Sequence, residues 1–263
     1  MFWMCVLKVF RNIFFLHFKM KRYLLAGLVV FFSTFSYGIR PFITDDARIV
    51  GARLAQCESW IRIDELSCQQ WNVAAYGPND RMEISLGLVH GIELSPMAKN
   101  QYSYAMPLIQ SKYLLKEYVP NKTPGIAIIT GTFLPFGKGD FKASNYNAFG
   151  YFALTESLGN NDLVLIHANL GANYMHSLSG NLTFPWGVGT QIRTFGGLHF
   201  VGEVFSGDPY VPGSGMAFQS GFRYFINDFV QVDVTMGEGF AGQHRLPLWG
   251  SLGVRMVTDW FKK

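Results

Sequence analysis

The chain has 263 residues, of which 49% are hydrophobic, 16% aromatic and only 15% charged, with 28 glycines. Soluble domains carry about 25% charged residues, so this composition argues against a surface that mainly meets water. A helical membrane protein fits no better, because no uninterrupted apolar run reaches the roughly 20 residues that a spanning helix needs.

From Met20 the sequence reads MKRYLLAGLVVFFSTFSYG. A basic start (Lys21, Arg22), an apolar stretch from Leu24 to Phe35 and small residues at Ser36 and Gly38 form the three parts of a secretory signal, with cleavage expected after Gly38. A non-cleaved anchor is the alternative, disfavoured by the short apolar stretch. Residues 1–19 do not suit a signal, which makes Met20 the expected true start. The leader, 1–38, holds five basic residues (Lys8, Arg11, Lys19, Lys21, Arg22) and no acid. Removing these five of 22 leaves 17 basic against 18 acidic residues, a net charge of about −1. The basic pI therefore belongs mostly to the leader and gives no ground for a nucleic-acid partner.

Residues 39–52 form an N-terminal segment expected at the periplasmic end, containing RPFITDDAR. Its adjacent acids, Asp45 and Asp46, invite a reading as a metal site or acid/base pair. The alternatives are contact with inward arginines such as Arg255 or Arg223, or plain solvation.

After this segment the chain alternates apolar and polar residues in stretches of about ten, separated by turn residues. That is the signature of a transmembrane β-barrel. In DRMEISLGLVHGIEL, Met82, Ile84, Leu86, Leu88, Ile92 and Leu94 share one face, and Arg81, Glu83, Ser85, Gly87, Gly91 and Glu93 the other. FPWGVGTQIRTF and the last strand repeat the pattern. Twelve such stretches are expected, near 53–63, 68–77, 81–94, 102–117, 124–135, 145–157, 163–175, 182–195, 197–206, 216–226, 229–238 and 247–258. The expected fold is thus all-β, a closed antiparallel transmembrane barrel of about 12 strands spanning 53–263.

The connections alternate in length. Gly77-Pro78-Asn79-Asp80, Gly159-Asn160-Asn161-Asp162, Phe195-Gly196-Gly197 and Asn227-Asp228 suit tight hairpin turns. Phe136 to Ser144, His176 to Asn181, Gly207 to Gly215 and Gly239 to Pro247 are longer. Short turns at one end and long loops at the other distinguish an outer-membrane barrel from a soluble one.

With hydrocarbon outside, the polar face turns inward. The expected lumenal charges are Glu58, Glu83, Lys112, Arg193, Glu203, Arg223, Asp233 and Arg255, accompanied by His167, Asn169, Asn173, His199, Gln191, Gln219 and Gln231. Four acids meet four bases, so the lining does not select one sign of ion. Two readings stand together: a network that stiffens the barrel, with Arg223 and Asp233 paired across a hairpin, and a polar constriction. His167 and His199 point inward without a third ligand at a telling spacing. His90 faces outward with no serine assigned to it, and no nucleophile elbow, phosphate-cradling loop or zinc-binding helix occurs. No catalytic residue, cofactor or metal is expected. Aromatic residues, among them Trp60, Trp71, Phe149 and Tyr151, are expected mostly in interfacial girdles, with some available to line a pore. On the second strand Gln70 and Asn72 are assigned inward, which puts Cys57 outside and Cys68 inside. That opposes a disulfide, whereas the oxidising compartment favours one.

RPFITDDARIVG, followed by AQCESW, then YGPNDRMEISLGL, FLPFGKGDF, FVGEVF and GFRYFINDFVQVDVTMGEGF, resembles the outer-membrane family of the MetA-pathway of phenol degradation. The resemblance covers most of residues 40–258, and its N-terminal motif includes Pro41, Phe42, Thr44, Asp45 and Asp46. It implies a barrel of about twelve strands that moves small, often hydrophobic compounds across the outer membrane of a Gram-negative bacterium. The C-terminal Trp260-Phe261-Lys262-Lys263 departs from the usual aromatic end.

The expected function is a passive channel or transporter-like barrel for small, hydrophobic or aromatic solutes. The alternatives are a plugged barrel with a structural or surface-binding role and, further off, a lipid-modifying enzyme centred on His90. Expected partners are outer-membrane lipid, the solutes and the barrel-assembly machinery.

Overall fold

The computed structural model describes residues 42–94, 101–143, 145–159, 162–176, 181–208, 211 and 213–258. The expected signal peptide, Pro41, Trp260 and Phe261 lie outside the described residues. The strands are β1 (Ala55–Ile63), β2 (Ser67–Asn79), β3 (Met82–Glu93), β4 (Tyr102–Lys116), β5 (Gly125–Phe133), β6 (Gly137–Lys138), β7 (Asn147–Leu158), β8 (Val164–Met175), β9 (Asn181–Thr183), β10 (Trp186–Phe195), β11 (Leu198–Ser206), β12 (Met216–Phe225), β13 (Val230–Ala241) and β14 (Trp249–Thr258). Twelve of them form a wall in which each long strand pairs antiparallel with the next. β14 pairs with β1, and β8 pairs with β10 across the short β9, so the sheet closes on itself. Closure removes every long unpaired edge, which a barrel in hydrocarbon requires.

The burial pattern is inverted relative to a water-soluble domain. Leu86, Phe152, Leu170 and Leu252 are each more than half exposed on the outer face, whereas Lys112, Arg223 and Arg255 are buried inside. Exposed aromatics mark both ends: Tyr102, Phe136 and Tyr146 near the long connections, Phe195 and Tyr224 near the short turns. These are the girdles of a membrane barrel.

All twelve expected strands are present. The stretch at 182–195 is divided into β9 and β10 around Pro185, which has no N–H to give a ladder. Of the expected tight turns, Gly196 adopts φ +55° between β10 and β11 and Gly159 φ +80° after β7, whereas β2 runs on through Gly77 and Pro78 to Asn79 and leaves its turn to Asp80 and Arg81. The connection after β4 (117–124) is longer, and a Val119–Thr123 bridge holds it.

On β2 the sequence reading needs correction. Trp60 pairs with Trp71 and Arg62 with Gln69, so Gln69, Trp71 and Val73 face inward, and Gln70 and Asn72 face outward. Cys68 therefore faces outward as well. The error came from counting amides as lumenal, when the aromatic Trp71 sets the phase. Cys57 lies opposite Ala74 and Cys68 opposite Ile63, six positions apart along the β1–β2 ladder, and both thiols are free. At about 3.4 Å per residue that separation is far beyond disulfide reach.

Candidate functional site

The barrel is not empty. Residues 42–50, expected at the periplasmic end outside the strands, lie inside the short-turn half of the barrel, with Phe42, Asp46, Ala47 and Val50 buried. The segment joins no strand ladder. Its backbone N–H groups are met instead by side chains of the wall, since a buried N–H must find an acceptor somewhere.

Glu203 on β11 takes two in succession, its Oε1 accepting from Ile43 N at 2.6 Å and its Oε2 from Thr44 N at 2.7 Å. Asn169 on β8 makes a reciprocal pair with Asp45: its Oδ1 accepts from Asp45 N at 2.6 Å, and its Nδ2 donates to Asp45 O at 2.8 Å. Ala47 N donates to Thr155 Oγ1 on β7 at 2.9 Å, and Val50 N to Glu83 Oε2 on β3 at 2.8 Å. Thr155 Oγ1 also lies 3.0 Å from His167 Nδ1.

Lys112 on β4 spends its ammonium on the segment. Nζ donates to Asp45 Oδ1 at 2.5 Å, to Asp46 O at 2.9 Å and to Arg48 O at 3.2 Å, which uses all three of its protons. Asp46 turns back on its own loop, accepting from Arg48 N at 3.0 Å and Arg48 Nη2 at 2.6 Å. The aspartate doublet is thus a structural clasp, and it pairs with neither Arg255 nor Arg223. Arg223 instead lies 5.7 Å from the ring centroid of Phe42.

Three carboxylates, Asp45, Asp46 and Glu83, crowd around Lys112 and Arg48. Burial raises the Asp45 carboxyl to about 7 against the pull of Lys112, and the negative charges of Asp46 and Glu83 add to the rise. Burial pushes Asp46 upward too, but Arg48 and Lys112 outweigh it and hold this carboxyl well below its ordinary value.

Glycines on β10 make the seat. A Cβ at Gly187 would stand 2.3 Å from Thr44 Oγ1, and one at Gly189 3.2 Å from the Phe42 ring. The alternation WGVG therefore leaves space for the segment as well as setting strand phase.

Of the residues assigned to the lumen, Glu58, Glu83, Lys112, Glu203, Arg223, Asp233 and Arg255 are buried inside, as are His167, Asn173, His199, Gln191, Gln219 and Gln231; Asn169 is half-buried against the segment. Arg193 is exposed at the short-turn mouth. Arg223 faces Asp233 in the β12–β13 ladder. Arg255 donates to Gln56 Oε1 at 2.7 Å and lies 3.9 Å from Glu58. His167 and His199 are engaged separately, the latter 3.1 Å from Gln191. His90 is on the outer wall, 6.1 Å from the Tyr102 ring.

Towards the long-loop end the lining turns aromatic. Trp60 and Trp71 stack at 5.7 Å, and Phe149 and Tyr151 at 5.0 Å. Phe141, from the connection after β6, packs against the cluster of Trp60, Trp71, Val73, Val89 and Ala105. Val211 packs beside Phe205 and Trp249, and Asp208 pairs with Arg62 at 3.1 Å. Two long connections thus fold against the interior. Between them and the segment lies a cavity of about 60 Å³, lined by Phe42, Ile43 and Asp45 together with Trp60, Trp71 and Tyr151. On the other side a vestibule of about 1070 Å³ is lined by Arg48, Ile49 and Gly51 with Arg81, Tyr118 and Arg193. The segment borders both spaces.

No protein-family model matches the chain, and no curated protein matches it. Among solved structures it is similar to an outer-membrane channel from Pseudomonas putida F1, with a TM-score of 0.56, 10% identity and coverage of 78% of this chain and 94% of that one. It is also similar to the NanC porin (TM-score 0.48, 10% identity, 78% and 98%) and to the outer-membrane protein Omp33 of Acinetobacter baumannii (0.44, 9%, 77% and 96%). The likeness to the first is one of fold. It supports a closed membrane barrel and assigns no cargo.

Proposed function

We propose that the protein is an outer-membrane channel for small solutes, held shut by residues 42–50 and opened when they leave their seat. One observation carries this reading: the segment that fills the inner half of the barrel is held by wall side chains and by no strand ladder. Its removal breaks no wall hydrogen bond, so the barrel survives opening. The fold shared with a protein described as an outer-membrane channel is consistent with that reading, as is the resemblance to the phenol-degradation family. The stacked aromatics above the segment suit flat, apolar or aromatic solutes, which the polar inner half then passes toward the short-turn end. Liposome swelling by small solutes, compared between the full chain and one lacking residues 42–50, tests the proposal. Faster swelling for the shortened chain supports it, and equal impermeability to all solutes counts against it.

A second reading, a permanently plugged barrel that presents its long connections, is favoured by the inward folding of Phe141 and Asp208. It predicts no flux from either chain.

A further inference from the structure

The outer wall carries a chain of side chains that a lipid-facing surface does not explain. Ser59, Gln70 and Asn72 point outward from β1 and β2 and form a chain: Gln70 Nε2 donates to Ser59 Oγ at 2.9 Å, and Ser59 Oγ donates to Asn72 Oδ1 at 2.9 Å. His90 stands opposite Gln70 on β3. The ladder fixes the height of this patch. The row toward the long loops is Ile63, Cys68, Ile92 and Tyr102, and the row toward the short turns is Cys57, Ala74, Leu86 and Ile109. The polar patch therefore begins one row inside the girdle that Tyr102 marks and extends from there toward the short turns. Several outward hydroxyls of the wall satisfy themselves locally: Thr132 donates to Asn147 O, Thr190 to Leu165 O, and Ser111 bonds Thr130. The amides do not. Asn72 Nδ2 is left as a donor and Gln70 Oε1 as an acceptor, and hydrocarbon offers nothing to either.

We propose that this face, the outer side of β1–β3, is the contact between two copies of the chain. The two open ends are one donor and one acceptor, which a two-fold axis brings together twice, the donor of one copy meeting the acceptor of the other. Exchanging oxygen and nitrogen in both amides swaps the ends and leaves the same complementary pair. Lipid phosphate is the weaker occupant, because the patch holds no lysine or arginine to receive it. Interhelical amide contacts in membranes follow the same logic, polar side chains bonding across an interface that lipid cannot satisfy. The inference needs the barrel to sit in a membrane and does not depend on whether it conducts.

The test is co-purification of two differently tagged full-length copies, co-expressed and extracted from outer membranes in mild detergent. The wild-type copies are expected to co-purify. The double variant Gln70→Leu, Asn72→Leu, apolar on a lipid-facing surface, is expected to lose at least tenfold of the co-purified copy while keeping the heat-modifiable migration of a folded barrel. The control pair Ser111→Ala, Thr130→Val, on another part of the wall, is expected to keep it. Wild-type copies that purify alone, or a folded double variant that co-purifies as well as wild type, would overturn the proposal. Should the double variant not fold, Asn72→Leu alone removes the open donor and is read by the same assay, with loss of the co-purified copy supporting the proposal and wild-type recovery overturning it.

Discussion

Lys112 reaches across the barrel interior to Asp45 with 2.5 Å between Nζ and Oδ1, and the two residues are 67 positions apart in sequence. This contact ties strand β4 to a segment that precedes the first strand. Because Lys112 also donates to the carbonyls of Asp46 and Arg48, a single side chain fixes the course of the segment's central turn.

Replacing Lys112 by methionine keeps the unbranched stem, one atom shorter, and removes all three donors. Breaking one side of a buried ion pair costs about 3–5 kcal/mol, here taken from the docked form of the segment rather than from the wall. Lys112→Met is expected to retain barrel migration on gels but to spend far more time open in single-channel recordings. Wild-type open times would show that Lys112 does not hold the segment.

Gly187→Val tests the seat from the opposite wall. The added Cβ meets Thr44 Oγ1, and overpacking of this kind costs about 1–3 kcal/mol. The segment is expected to loosen at its Phe42 end, giving an intermediate rise in open time. The same substitution in a chain lacking 42–50 is expected to change nothing, which separates loss of the seat from damage to β10.

Docking should also depend on pH through the two aspartates. Asp46, lowered in the docked form, favours docking above its ordinary value of 3.8 and loses that contribution as the pH falls. Asp45, raised to about 7, favours docking fully below its ordinary value of 3.8 and loses that contribution as the pH rises from there to about 7. The segment is expected to be held best at about pH 4, to loosen as the pH rises from there to about 7, and to loosen again as the pH falls below about 4. A spin label at Ile49→Cys, with Cys57 and Cys68 replaced by serine, reads this as mobility. A monotonic profile would refute the opposed shifts. Asp45→Asn should abolish the neutral limb alone.

The cysteines give a simple check of register. Both Cys57 and Cys68 are expected to alkylate without prior reduction, adding two labels by mass. A mass showing neither labelled until reductant is added would require a different β1–β2 alignment.

Much of the wall was legible because a barrel writes itself in period two: Leu86 out and Glu83 in could be read from DRMEISLGL alone. The even strand count and the alternating connections also followed from turn residues. The interior was less legible. Glu203, Asn169 and Thr155 looked like lining, and nothing local says that their acceptors are consumed by a segment more than 100 residues earlier. The signal that was available lay in the inward glycines Gly187 and Gly189, which are small where a lining residue has room to be large, and in an aspartate doublet beside a chain otherwise poor in charge. The phase of β2 was misread for a physical reason: amides were assumed to shun lipid, whereas Gln70 and Asn72 bond through Ser59 on the outer face.

The central claim is that residues 42–50 close an otherwise conducting barrel. Its most direct test is planar-bilayer recording of the full chain beside a chain lacking those residues, under identical voltage and salt. The account predicts rare, brief openings for the full chain and sustained conductance for the shortened one. A shortened chain that inserts as a folded barrel and stays silent would contradict it.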